Sequence, residues 1–463
     1  MNAFVKGVQR QTGSANANVD FFYKAGAMRG RGQEAVAVFR MAFAEDKELA
    51  LRNAQWLRDV RGGAGERALF RDIFEWLEQN SPDDAIRLLK KVPEVGRWDD
   101  VLQAKNPVVR TAAFDLIGDA LRARNGLAAK WMPRQGPVAV EIRKYFGMSP
   151  KFYRKSLVEL TDVVEQKMCA KEFDQINFSH VPSVASSRYK KAFGKNAPAE
   201  YTAYVQALVK GDDPKVKINA SAIYPYDVLK QFFQGSATKQ DAQVIQAQWN
   251  ALPDYMNDVS VLPLIDVSGS MGIPAGGGAG GSGVTCMQVA ISLGLYCAEK
   301  TKGPFKDTFL TFTSKSQLFH VKGSIQEKIA QTLRAPWGGS TNIESALQEI
   351  VFVGVKNNVP QSEMPAMLLI MSDMQFNHCV SKTFTADYAK ALFEAHGYQV
   401  PKIVFWNLND SGTTPVAFDK SGVALVSGFS PSIVKPVLEA DFSAFTPEAI
   451  MKKALMIDRY NID

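Results

Sequence analysis

Asp266, Ser268 and Ser270 stand at alternate positions in "PLIDVSGSMG", directly after an apolar run. Further along, "WGGSTN" carries Thr341 and "MSDMQF" carries Asp373, and one sheet edge should receive both. One or two carboxylates with several hydroxyls make an oxygen-rich shell free of nitrogen and sulfur. That chemistry suits a hard divalent cation, Mg²⁺ first and Mn²⁺ or Ca²⁺ next, and not zinc or copper. With so few negative ligands the ion keeps net positive charge and an exchangeable water, whose place an outside carboxylate or phosphate oxygen can take.

Other chemistries find less support. The glycine run from Gly272 to Gly283 lacks the lysine that a phosphate-cradling P-loop needs. It reads as an insertion between the first strand and a helix starting near Val284, either a plain disordered insert or a flap that folds over the metal face when ligand arrives. A phosphoryl-accepting aspartate would want a second acid where Ser268 stands, and no GxSxG elbow is present. His180, His320, His378 and His396 are scattered; His378, five residues past Asp373, is either a neighbour of the metal or an ordinary surface or core histidine. Cys169, Cys286, Cys297 and Cys379 form no CxxC pair and read as reduced core thiols.

The elements that must position these residues change character along the chain. From about residue 18 to 255, apolar positions recur at helical spacing, as in "EAVAVFRMAFA", "ERALFRDIFEWLEQ" and "RTAAFDLIGDALRAR". Pro82, Pro93, Pro107, Pro133, Pro150, Pro182, Pro198 and Pro214 separate the helices, and "SPDD" is a helix start. From 256 to 463 short apolar runs, "VSVLPLIDV", "TFLTFT", "AMLLIMSD", "KIVFWNL" and "GVALVSG", alternate with helical stretches. They predict a parallel sheet with helices on both faces and ligands at its carboxyl edge. The fold class is therefore multi-domain α + α/β: a flexible N-terminus (1–17), an all-helical region, HEAT-like or irregular (18–255), and a doubly wound sheet (256–463).

The net charge of +7 is unevenly placed: residues 1–250 hold 38 basic against 28 acidic side chains, and the remainder 16 against 19. In "RKYFGMSPKFYRK" and "SRYKKAFGK" basic and aromatic residues alternate, offering Arg143, Lys144, Lys151, Arg154, Lys155, Arg188, Lys190, Lys191 and Lys195 to phosphates, with aromatics to stack on bases. The alternative is a packed aromatic core with a solvated charged rim. "RDVRGGAGER" sets Arg58, Arg61 and Arg67 around a glycine turn that either holds a phosphate or joins two helices, its arginines pairing with Asp59, Glu66, Asp72 or Glu75. In "GRWDD" Trp98 reads as packed and Asp99 or Asp100 as a helix cap. No stretch approaches the roughly 18 to 20 apolar residues of a membrane span, and no secretory signal is evident, so a soluble cytoplasmic protein is expected.

"DVSGSM", "GGSTN" and "MSDMQF", in this order, resemble the metal-ion-dependent adhesion site of von Willebrand factor A domains over roughly the last 200 residues. The resemblance implies Asp266, Ser268, Ser270 and Thr341 as ligands, Asp373 as a direct or water-mediated acid, and ligand binding in place of a reaction. "RDVRGGAGERALFRDIF", "GRWDDVL", "YRKSL", "VPSVAS", "INASAIYPYD" and "FWNLN" with "GVALVSGFSP" resemble an uncharacterised plant, bacterial and phage family that joins a helical region to such a domain. Its layout is similar to the TROVE proteins, the Ro autoantigen ring, and this implies that the basic helical half binds noncoding or structured RNA. The expected function is thus non-enzymatic RNA binding, with the metal receiving an acidic group of a partner protein or a phosphate. The alternatives are a metal-dependent protein-interaction or assembly module without RNA, and a metal-dependent phosphohydrolase or nuclease using Asp373 or His378 as base.

Overall fold

The computed structural model describes residues 13–462, apart from 162, 212, 214, 219, 221–222, 257–258, 276–283, 312–314, 336–341, 374–385, 410–418, 420 and 440–444. Residues 1–12 of the stretch read as a flexible N-terminus therefore lie outside the described residues.

Helices fill the first part of the chain: α1 (Ala17–Ala25), α2 (Gly32–Glu45), α3 (Lys47–Arg58), α4 (Arg67–Asn80), α5 (Pro82–Val95), α6 (Trp98–Val101), α7 (Pro107–Arg122) and α8 (Gly126–Trp131). There follow α9 (Pro137–Tyr145), α10 (Pro150–Leu160), α11 (Val164–Ala170), α12 (Ser183–Asn196), α13 (Pro198–Lys210), α14 (Pro225–Phe233) and α15 (Lys239–Asn250). Pro82, Pro107, Pro150 and Pro198 each open a helix, where a missing backbone N–H costs nothing. Pro93 is different from the expectation, lying inside the last turns of α5, and Pro214 lies outside the described residues.

Beyond α15 the strands β1 (Val261–Ile265), β2 (Thr308–Thr311), β3 (Leu318–His320), β4 (Met367–Ser372), β5 (Lys402–Asn407) and β6 (Val423–Ser427) form one sheet in the order β3-β2-β1-β4-β5-β6. All neighbours are parallel except β2 and β3. Helices α16 (Cys286–Lys300), α17 (Ile325–Leu333), α18 (Ile343–Lys356), α19 (Ala386–Glu394), α20 (Val434–Leu438) and α21 (Pro447–Leu455) complete this part. β1, β2, β4 and β6 are buried along their whole length, as continuous apolar runs require of strands covered on both faces. The edge strand β3 is half-exposed and only three residues long, and its sequence carries no apolar run to announce it.

The two parts are built on one core. A continuous apolar cluster runs from Val19 to Ile462, and α1 packs directly on β6. There Ser427 Oγ donates to the Phe22 carbonyl (3.0 Å), the Gly26 N–H donates back to Ser427 Oγ (3.1 Å), and Asn407 Nδ2 donates to the Tyr23 carbonyl (3.4 Å). Ser427 and Asn407, at the carboxyl ends of β6 and β5, are thus tied to α1. A smaller core, including Ile176, Phe178, Phe193, Tyr201 and Val205, holds the region of α12 and α13 apart from the main one.

Candidate metal centre and basic surface

Asp266 follows β1 and extends its ladder, its N–H donating to the Met371 carbonyl at 3.1 Å. The side chain is fully buried. Oδ1 accepts from the Ser268 N–H (2.9 Å) and Oδ2 from Ser372 Oγ (2.5 Å). Ser268 and Ser270 place their hydroxyl oxygens 3.0 Å apart on the same short turn, Gly269–Gly272 being a single 3₁₀ segment anchored by buried Met271. Asp373 ends β4 beside them and is equally buried. Burial pushes the Asp266 carboxyl up to about 6; hydrogen bonds from Ser372 and Ser268 oppose this, and the charge of Asp373 adds to it. Two acids buried at one edge with two convergent hydroxyls form an oxygen-only donor set that a hard divalent cation would fit, offsetting their repulsion.

Thr341 and His378 lie outside the described residues, as does 276–283 of the glycine insertion. The base of that insertion is described and is closed: Pro274 and Thr285 form an antiparallel bridge, Ala275 N–H donates to Val284 O (2.9 Å) and Cys286 N–H to Ile273 O (3.0 Å). Helix α16 starts just beyond, at Cys286, capped by Thr285 with Gln288. The DxSxS turn is therefore fixed independently of the insertion's length. Among the described residues no three His, Cys, Asp or Glu side chains gather, so a cation here depends on the hydroxyls. Ser372 was not singled out from sequence; a polar residue closing a fully apolar buried strand was its available signal.

The phosphate reading of "RDVRGGAGER" is overturned for Arg58. Its guanidinium is buried and grips Asp100 Oδ2 through Nε (2.9 Å) and a terminal nitrogen (2.7 Å), while Arg71 Nε takes Oδ1 (2.7 Å). Asp100 also accepts the Arg97 N–H as a helix cap, and Trp98 is packed. The glycine turn itself is filled by protein. Tyr224 OH donates to Ala64 O and Ser432 Oγ to Gly63 O (both 3.4 Å), and Arg459 and Tyr460 bind Asp59. A Cβ on Gly63 would stand 1.9 Å from the Trp56 carbonyl oxygen. Arg61 and Arg67 stay at the rim, within reach of solvent.

The other basic candidates differ in kind. Lys144, Lys151, Arg154, Lys155, Arg188, Lys191 and Lys195 reach solvent and Arg143 is half-exposed; none of the eight makes an ion pair among the described residues. By contrast Arg29, Arg71, Arg87, Arg97 and Arg110, earlier in the chain, all bind carboxylates. Lys190 is half-buried and paired with Asp241. Of the interleaved aromatics, Phe152 (58 % exposed) and Tyr145 (44 %) face solvent, whereas Tyr153 and Phe193 are core. Packing thus divides the aromatics between core and surface. Cys169 is exposed, not a core thiol; Cys286 and Cys297 are buried, and Cys379 lies outside the described residues.

No helix among the described residues is long and apolar enough to cross a membrane. Two family models match the chain: a domain of unknown function, DUF2828, over residues 138–262, and another, DUF7788, over 260–456. The junction falls at the start of β1. A crystal structure of the Deinococcus radiodurans Ro (RSR) protein aligns over 92 % of each chain, at 13 % identity and a TM-score of 0.42. The uncharacterized protein L728 of Acanthamoeba polyphaga mimivirus is 30 % identical over 508 residues, spanning 96 % of this chain and 85 % of that one. At that identity and coverage, this chain belongs to the same family as the mimivirus protein L728.

Proposed function

We propose that this is an RNA-binding protein of the Ro/TROVE-like type, with a von Willebrand factor A-like part that holds a divalent cation, Mg²⁺ foremost, for an acidic or phosphate ligand. The observation that carries the RNA reading is the set of eight cations between Arg143 and Lys195 that make no ion pair among the described residues, interleaved with exposed Tyr145 and Phe152. Arg29, Arg71, Arg87, Arg97 and Arg110 are by contrast taken up by carboxylates, so a surface left with bare cations is open to a polyanion. Asp266, Ser268, Ser270 and Asp373, joined by Thr341, would hold the cation, which supplies one open coordination position. We read this as binding without turnover. A cation site served by its own turn, built from Asp266, Ser268 and Ser270, also favours a second reading, capture of a protein partner's Asp or Glu without RNA.

RNA binding is tested by charge reversal. Lys151→Glu, Arg154→Glu and Lys155→Glu together are expected to weaken single-stranded RNA binding at least tenfold near physiological salt. They should also flatten the slope of log affinity against log salt by about 2, because each phosphate that the protein neutralises on a single strand adds roughly 0.7 to that slope. Fluorescence anisotropy across a salt series reads both. A wild-type affinity indifferent to salt would remove the RNA reading and leave protein capture.

A further inference from the structure

Helices α12, α13, α14 and α15 border a cleft of about 670 Å³, within the range of small-molecule sites. The acid on its wall, Asp241, is already engaged. One oxygen accepts from the Thr238 N–H (3.0 Å) and hydroxyl (2.7 Å) at the cap of α15, and the other accepts from Lys190. Lys190 also donates to Gln231 Oε1 at 3.0 Å. Because an ammonium only donates, this contact fixes the amide orientation and leaves the Gln231 NH₂ for the cleft. Lys191, on the same wall, makes no ion pair among the described residues. Tyr201 contributes a ring held at 5.3 Å from Phe178 and 5.7 Å from Phe193, between ring centres, and a hydroxyl with no hydrogen bond among the described residues. With Lys190 and Asp241 neutralising each other, the cleft offers the cation of Lys191 and the Gln231 amide donors beside the edge of a rigidly packed, largely buried Tyr201 ring.

Gly194 gives an independent indication. It lies inside α12, where glycine is a weaker helix former than alanine, and its φ is not positive. Neither a positive φ nor crowding requires it, for a Cβ there would meet nothing within 4 Å. What the missing side chain does provide is open volume, since Gly194 lines the cleft.

We infer that this cleft binds one nucleoside phosphate, the phosphate at Lys191 with the Gln231 NH₂ and the base against the exposed edge of Tyr201. The same chemistry is presented by a free mononucleotide and by an unpaired nucleotide of RNA; for the second source the inference rests on the RNA-binding reading above. It differs from that reading in needing a concave site and not merely a charged surface.

The test uses the full chain, with wild type, Gly194→Trp to fill the cleft, Gly194→Ala to restore helix propensity while leaving most of the space, and the α10 charge-reversed triple variant. Binding of AMP, GMP, CMP and UMP is followed by calorimetry, and that of a labelled single-stranded decanucleotide RNA by anisotropy. Mononucleotide binding that falls at least tenfold in Gly194→Trp, survives in Gly194→Ala and is untouched by the α10 changes is the expected result. Competition between mononucleotide and RNA assigns the RNA-borne source; mononucleotide binding with no RNA binding assigns the free nucleotide and removes the RNA reading. If RNA binds and responds to the α10 changes while no mononucleotide binds and Gly194→Trp is silent, the cleft inference falls and the RNA reading stands. Equal thermal midpoints in the three Gly194 forms, within a few degrees, exclude misfolding as the cause of a loss.

Discussion

Asp266→Ala should abolish divalent-cation binding, with a loss of more than 100-fold in affinity for Mn²⁺ measured by electron paramagnetic resonance or calorimetry. Asp266 does two jobs at once. It is the acid nearest the two hydroxyls in sequence, and its Oδ1 pins the turn by accepting the Ser268 N–H at 2.9 Å. Removing it takes away a charge and releases Ser268 and Ser270 from their shared orientation. Ser372→Ala tests the layer behind: Ser372 holds Asp266 Oδ2, and outer partners of metal ligands usually account for 10- to 100-fold in affinity. The cation should also stabilise the wild type. At a concentration about 100 times its dissociation constant the gain is about 2.7 kcal/mol, reversed by EDTA and missing from both Asp266→Ala and the isosteric Asp266→Asn. Unchanged Mn²⁺ affinity in Asp266→Ala would sink the metal assignment.

The second large effect concerns folding. Asp100→Ala strands the guanidinium of Arg58, which is buried and has Asp100 as its carboxylate partner, and leaves Arg71 with Asp99 alone. Breaking a buried pair from one side costs about 3–5 kcal/mol because the remaining charge is left without compensation. Urea denaturation should show a lowered midpoint with an unchanged slope. Gly63→Ala should be at least as severe: the clash is with a backbone carbonyl on α3, which cannot swing aside as a side-chain tip could. A soluble Gly63→Ala protein of wild-type stability would show that the turn is looser than its packing against Trp56, Tyr224 and Ser432 indicates.

The sheet was readable in sequence because a strand covered on both faces must be apolar throughout, and five such runs became β1, β2, β4, β5 and β6. β3 was not, since an edge strand of three half-exposed residues carries no comparable pattern. The acids of the candidate metal centre, Asp266 and Asp373, were legible for a related reason, as polar residues that abruptly close apolar runs. Arg58 was misplaced because its fate is decided 42 positions away by Asp100, and no local spacing reveals that pairing. The turn it precedes is only partly local: Gly63 is demanded by the nearby Trp56 carbonyl, whereas Gly65 is crowded by Tyr224 and Gly62 by Tyr460, which return from distant parts of the chain. Basic and aromatic alternation announced a surface without saying which rings face outward. Packing decides that, burying Tyr153 while leaving its neighbour Phe152 exposed.

The seat of α1 on β6 sets a timetable for synthesis. Phe22 and Ser427 are 405 positions apart, so the first helix is made long before the strand that receives it. At about 5–20 residues per second, roughly 20 to 80 s separate the two. During that interval Phe21 can rest on Phe39 and Phe22 on Trp56, made soon after them, but the backbone contacts of α1 to β6 are missing. The seating of α1 on β6 is therefore among the last contacts the emerging chain can make, and until then α2 and α3 are what α1 has to pack against.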